Sequence, residues 1–238
     1  MPRESLKSKR ERAQIVADVL RDRYPEAVSE LKIDDDPFHL AVAVLLSAQT
    51  TDAAVNKVTP ILWERYPTVA DLASARQEDV EESIRTIGFF HVKAANAIKA
   101  AQRVLTEYGG ELPQDIDELQ KLPGIGRKTA NIVMSVAFGQ PQGIAVDTHV
   151  FRISHRLKLS NAKTPSDTEK DLMKVFPKEA WSHINLDMVL FGRDVCQAKK
   201  PQCETCPLVE VCPSAFKAQN SPQARPQRKT RKAASPKK

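Results

Sequence analysis

The stretch from Leu122 to Asn131, read as L-P-G-I-G-R-K-T-A-N, constrains the fold more than any other part of the chain. Pro123 and Gly124 punctuate it, and Gly126 can take a positive φ without a Cβ penalty, so Pro-Gly-Ile-Gly reads as a tight turn between two helices. From Arg127 onward, Ala130, Ile132, Val133, Val136, Ala137 and Phe138 form an apolar stripe at helical spacing, and Gly139 and Pro141 end it. Lys128 therefore falls in the first turn of a helix. Unpaired backbone N–H groups and the positive end of the macrodipole suit an anion there, such as a phosphate. A lysine in that turn has two readings. In one it is a solvated residue or a phosphate contact; in the other it is a nucleophile. An amine must be neutral to attack carbon, and an unperturbed lysine, with a pKa of about 10.4, is neutral in only about 0.04% of molecules at pH 7. The helix N-terminus, Arg127 and partial burial each disfavour the ammonium form, and a Schiff-base lysine needs such surroundings.

The rest of the chain carries helical periodicity throughout. Lys9 to Tyr24 places Ile15, Val16, Val19 and Leu20 on one face. Asp36 and Pro37 form an N-cap and first-position pair for an apolar helix through Phe38 to Gln49. Val55 to Tyr66, Thr68 to Ala75 and Gln77 to Ile87 read as three short helices stopped by Gly88, and a longer one through Ala94, Ile98 and Leu105 ends at Gly109-Gly110. Asp115 with Glu118 resembles a capping box for Ile116 to Leu122. Asp147 precedes Val150, Ile153 and Leu157 at helical spacing and reads locally as an N-cap. Thr164-Pro165 opens a helix to about Phe176, and Lys178 to Arg193 reads as one last long helix. With no useful strand-period alternation, the expected fold class is all-α.

Composition bounds the function. The 238 residues, 41% of them hydrophobic, suffice for one large or two modest domains. The longest apolar run, Leu40 to Leu46, is far short of the roughly 20 residues of a membrane span. No charged n-region with an apolar h-region is visible, so no secretory signal is expected. Eight of the 36 Lys and Arg residues lie in 213–238, which has no Asp or Glu, so the body holds 28 basic against 30 acidic residues, a formal −2. Contact with a polyanion must then rest on local placement: the hairpin amides, Arg127, Lys128, Arg152, Arg156, Lys158, and the cluster of Arg193, Lys199 and Lys200. The tail from Pro213 is too poor in apolar residues to order itself, and reads as a disordered tether for a polyanion or a localisation signal.

Cys196, Cys203, Cys206 and Cys212 are the only cysteines, spaced Cys-x6-Cys-x2-Cys-x5-Cys. Crowded this way they do not look like a secreted disulfide framework, and a reduced, intracellular setting is expected. Four thiolates can close around an iron–sulfur cluster or a zinc ion, and spacing alone leaves both open. Two turns also stand out. Ser47 to Asp52 changes abruptly from apolar to small and polar, an ordinary cap by local reading, and Phe89-Phe90 after Gly88 reads locally as a core anchor.

The hairpin, the later V-D-T-H-V-F-R at Val146 to Arg152, and the cysteine spacing together resemble the endonuclease III family of helix-hairpin-helix DNA glycosylases, over roughly residues 13 to 212. That resemblance implies a bifunctional DNA glycosylase and AP lyase acting on oxidised pyrimidines or abasic sites in duplex DNA, as a monomer, in the cytoplasm or on the nucleoid of a bacterium. It implies that Lys128 is the Schiff-base nucleophile and that Asp147 assists it. It places Gln49 in the gap left by a flipped base and makes Phe89, where the family commonly has leucine, an apolar wedge; Thr50 stands where a small residue such as alanine is expected. Gly124, Gly126, Arg127, Lys199 and Lys200 become DNA contacts, and the four cysteines become ligands of a 4Fe-4S cluster that shapes the basic loop without taking part in the chemistry. The implied architecture sets a helical domain of residues 30–140 against an iron–sulfur domain of 141–212 joined by the N-terminal helix in 1–29, with a DNA cleft between them and 213–238 as the tail. Alternatives are a monofunctional mismatch or adenine glycosylase, though an adenine glycosylase would carry a large further domain after Cys212, or a non-catalytic binder of DNA structures.

Overall fold

The computed structural model describes residues 4–32 and 34–215, and among these the chain is helical with no strand. Its helices are α1 (Leu6–Arg23), α2 (Pro37–Leu46), α3 (Asp52–Arg65), α4 (Val69–Ala73), α5 (Gln77–Ile84), α6 (Phe90–Tyr108), α7 (Ile116–Leu119), α8 (Arg127–Val136), α9 (Thr148–Arg156), α10 (Pro165–Val175) and α11 (Ile184–Asp194). Most of the expected tail, 216–238, lies outside the described residues. Its first residues are described: the Ser214 hydroxyl donates to the Arg156 carbonyl (2.6 Å), and Ala215 is buried.

Helix starts follow the local chemistry. Asp36 accepts from the Phe38 and His39 amides, Thr51 from Ala54, Thr68 from Asp71 and Thr164 from Asp167, so each satisfies first-turn donors that would otherwise lack partners. Helix α2 carries no polar face. It is buried from Phe38 to Leu46 and forms the spine of a first core with α3 to α8.

A second core joins the two ends of the chain. Ala13, Val16, Ala17 and Leu20 of α1 pack with Val150 and Ile153 of α9, Leu172 of α10, and Met188 and Phe191 of α11. Ile15, expected on the buried face of α1, is 46% exposed. The small Ala13 and Ala17 take that face and let α1 approach α11 closely. The expected long helix over Lys178 to Arg193 is also interrupted. A single 3-10 turn at Lys178–Ala180 precedes α11, and His183 before Ile184 donates its ring to the fully buried Asp187 carboxylate (2.6 Å). Glu169, buried on α10, joins the cores by accepting from Arg127 and Asn131 of α8.

Candidate active site

The hairpin is built as a type II turn. Ile125 N–H donates to the Leu122 carbonyl (3.1 Å), with Pro123 second and Gly124 third in the turn. The positive φ falls on Gly124 (79°), while Gly126 is extended (φ −85°, ψ 174°), which corrects the assignment made from sequence. Gly124 also has no room for a side chain, since a Cβ there would stand 2.7 Å from Leu45 Cδ1 and 3.0 Å from Asn96 Cβ. The expected capping box is half formed. Asp115 accepts from the Asp117 and Glu118 amides, but the Glu118 carboxylate turns to the Tyr108 hydroxyl (2.8 Å) and Lys121 Nζ (2.6 Å).

Gly126 is the N-cap of α8 and supplies no side-chain cap, so the amides of the first turn stay open. Lys128 is exposed there. Its neighbour Arg127 is held in another direction, where Nε and Nη2 meet the Glu169 carboxylate at 3.0 to 3.1 Å. Arg127 is expected from its charge and place to be a polyanion contact. Its guanidinium instead fixes the pitch of α8 against α10, a role shared with Asn131 Nδ2 (2.9 Å to Glu169). Gly143 passes over this pair so closely that a Cβ would run into both Glu169 and Asn131.

Asp147 is half-buried and caps α9, with Oδ1 accepting from the Val150 amide at 2.8 Å. The chain leading to it is clamped, since Asn185 Nδ2 of α11 donates to the Ala145 carbonyl (2.7 Å) while Ile144 to Val146 are buried. His149 reports how these parts meet. Burial lowers its pKa; the charges of Arg152, Arg193 and Lys128 push the same way, and only Asp147 opposes them. Lys128 and Asp147 thus act on the same imidazole from two different helices, within one electrostatic neighbourhood.

Gln49 and Phe89, the two candidate inserting residues, share an unusual geometry. Both are exposed, and both have left-handed backbones (φ 54° and 59°) without being glycine. Such conformations carry strain and concentrate at ligand clamps and active sites. Phe89 is 65% exposed, so of the Phe89-Phe90 pair only Phe90, which packs against the first core, is the anchor of the local reading. Beneath the two turns lies a buried lysine that no motif marks. Lys93 is only 5% exposed, and its Nζ donates to Thr50 Oγ1 at 2.7 Å. The signal was present, since Lys93 sits one helical turn before Ala97 on the apolar stripe of α6.

Cys196, Cys203, Cys206 and Cys212 converge on one cavity of about 190 Å³, with Ile153, Leu157 and Phe191 in its wall. Burial raises the thiol pKa of Cys203 and Cys206, and neighbouring cysteines reinforce the shift. Arg156 Nη1 lies 3.2 Å from Cys196 Sγ and donates to the Gln197 carbonyl (2.8 Å), while Arg152 donates to the Cys196 carbonyl (3.1 Å). Both arginines were expected to face a polyanion. They instead staple the cysteine loop to α9, and Arg193 pairs with Glu30 (2.9 Å). Lys158, Lys199 and Lys200 are exposed. Among the described residues, no group of three or more His, Cys, Asp or Glu side chains is arranged as the ligands of a metal ion, and no helix is long and apolar enough to cross a membrane.

A two-core helical fold around a Pro-Gly hairpin, with an open N-terminus on α8 and an aspartate cap on α9, fits a class of DNA repair proteins. The chain belongs to the HhH-GPD superfamily of base excision DNA repair proteins, whose sequence pattern matches residues 42–178. Within it the chain is similar to endonuclease III of Synechocystis sp., with 45% identity over 208 residues, 87% of this chain and 94% of that one. It is 47% identical over 196 residues to endonuclease III of Bacillus subtilis, covering 82% and 89% of the two chains. A solved structure of a trapped endonuclease III–DNA covalent intermediate superposes with a TM-score of 0.81 at 45% identity, over 91% of this chain and 100% of that one.

Proposed function

We propose that this chain is a bifunctional DNA glycosylase and AP lyase that removes oxidised pyrimidines from duplex DNA through a Schiff base on Lys128. The observation that carries the reading is an exposed lysine in the open first turn of α8, in one electrostatic neighbourhood with the Asp147 carboxylate that starts α9. The similarity to a trapped covalent complex supports the same reading.

The roles follow from the geometry. The damaged nucleotide must leave the stack for its sugar to be attacked, and Gln49 and Phe89, projecting from strained exposed turns, are suited to fill the space it vacates. Gln49 can both donate to and accept from an orphaned base. The free amides behind Gly124 and Gly126 hold a backbone phosphate at the positive end of α8. Lys128 Nζ then attacks the anomeric carbon as the base departs. Asp147 has Oδ1 committed to the Val150 amide, which leaves its second oxygen to face the charge developing on the sugar and to manage the amine proton. The resulting imine acidifies the adjacent sugar carbon, and β-elimination breaks the strand. Incubation with a thymine-glycol duplex and borohydride should trap a protein–DNA adduct. Lys128→Ala should lose the adduct and strand scission, with DNA affinity retained within a few fold. Base release by the wild type with an intact strand and no adduct would mark a monofunctional glycosylase, and binding without release a structural binder.

The four cysteines are proposed to hold a 4Fe-4S cluster. An all-thiol donor set around a cavity, with the Arg156 guanidinium beside Cys196 Sγ, fits the negative charge of such a centre. When bound, the cluster supplies rigidity to the loop carrying Lys199 and Lys200, which are proposed to meet phosphate. Purified protein should be yellow-brown with about four irons per chain. Cys203→Ser should lose folding or DNA affinity before chemistry, and stoichiometric zinc without iron after anaerobic purification would reject the assignment. The proposed domain division is 30–140 against 141–212 with the N-terminal helix in 1–29, in line with the two separate cores, and the active unit is a monomer on DNA.

A further inference from the structure

Lys93 occupies a place where packing alone would put an apolar residue. It lies on the inner stripe of α6 with Ala97, Ala100 and Val104. Among the described residues its ammonium meets Thr50 Oγ1, with no carboxylate opposite. Holding a cation in such a place is unfavourable, and burial accordingly lowers the lysine's pKa.

The two ends of this residue reach the two strained turns. Its backbone N–H donates to the Phe89 carbonyl at 3.0 Å, closing the first turn of α6 directly behind the left-handed residue. Its Nζ donates to the Thr50 hydroxyl, immediately after Gln49. That hydroxyl lies 3.4 Å from the Ala48 carbonyl, on the other side of Gln49, and the Thr50 amide donates to the Ser47 carbonyl at 3.0 Å. Gln49 is thus bracketed by a chain of contacts that begins on α6, 43 residues away in sequence.

We infer that Lys93 is a positioning residue for base extrusion: it is a strut that ties the α2–α3 turn to the start of α6, so that Gln49 and Phe89 meet the duplex as one rigid pair. The inference rests on the reading of those two residues as inserting side chains. Thr50 is the contact through which the strut acts on Gln49, and the hydroxyl rather than the side-chain volume is what matters.

The test uses the full-length protein and a thymine-glycol duplex with 2-aminopurine opposite the lesion. Single-turnover excision at saturating enzyme is measured together with the fluorescence rise on extrusion. Gln49→Ala and Phe89→Ala should each slow extrusion by at least about tenfold, since misplacing a group by about 1 Å can cost that much or more. If neither does, the underlying reading and the strut fall together. If they do, Thr50→Ala and Lys93→Met should each slow extrusion by on the order of tenfold. Thr50→Ser should restore the rate lost in Thr50→Ala, and the double variant should be no slower than the slower single, because both remove the same bond. Lys93→Met can fail to fold; the Thr50→Ala and Thr50→Ser pair, at a half-buried turn position, then decides alone. Wild-type extrusion in Thr50→Ala, or losses that multiply in the double variant, would overturn the strut while leaving Gln49 and Phe89 as inserting residues.

Discussion

The N-termini of α8 and α9 contribute to one neighbourhood yet are built in opposite ways. Helix α9 is closed by Asp147, whose carboxylate takes the Val150 amide, whereas α8 begins at Gly126 with no side chain over its first turn. A helix start exposes donors and a partial positive charge either way. Closing it with a carboxylate places a fixed negative charge where a cationic transition state can be stabilised. Leaving it open keeps the donors for a phosphate and lets Lys128 project among them. On the proposed roles, the same local physics gives an electrostatic stabiliser at one end and an anion site with a nucleophile at the other.

The largest expected effect comes from separating the two properties of Asp147. Asparagine also caps helices well, so Asp147→Asn should keep the Val150 hydrogen bond and leave the melting temperature nearly unchanged. It removes the charge, and single-turnover excision should fall by about 10²- to 10⁴-fold, the usual contribution of a placed acid or base. Asp147→Ala should lose a similar factor in rate and also about 1 kcal/mol of stability, the usual cost of a lost cap. A rate in Asp147→Asn close to wild type, with Asp147→Ala impaired only in stability, would reduce α9 to a structural cap and end the contrast.

The capped end was legible because capping is local. Asp36, Asp115, Asp147 and Thr164 each reveal a helix start through residues two or three places away, and the structure bears these starts out. The cysteine motif and the hairpin were equally visible, being short and rich in residues with restricted chemistry. What stayed hidden depends on partners distant in sequence. Arg127 meets Glu169 across 42 residues, Arg156 meets Cys196 across 40, and Lys93 meets Thr50 across 43. A basic residue looks the same in sequence whether it faces solvent or staples two segments, so the four arginines expected at a phosphate surface, Arg127, Arg152, Arg156 and Arg193, proved to be held by other groups of the chain. The left-handed backbones of Gln49 and Phe89 were hidden for another reason. Neither residue type favours that region, and the conformation is imposed by the turns around them.

The two hairpin glycines sharpen the comparison from the open side, with smaller effects. Gly124 has φ 79° and would place a Cβ against Leu45 and Asn96, so Gly124→Ala combines backbone strain with a clash between α2 and α6. It should cost about 1–3 kcal/mol in stability and displace the turn, weakening DNA binding as a consequence. Gly126 differs in both respects, being extended and having no atom within 4 Å of the point where a Cβ would stand. Gly126→Asp should therefore be tolerated, and a capping carboxylate should raise stability by a few tenths of a kcal/mol over glycine. The same carboxylate would occupy the amides that an incoming phosphate needs and repel it, so affinity for duplex DNA should fall severalfold, most at low salt. A variant that is more stable and binds DNA more weakly is the signature of an end kept open for an anion. Unchanged affinity in Gly126→Asp, with Lys128 still trapped by borohydride, would show that the phosphate is held elsewhere and that the open end of α8 serves only to free the lysine.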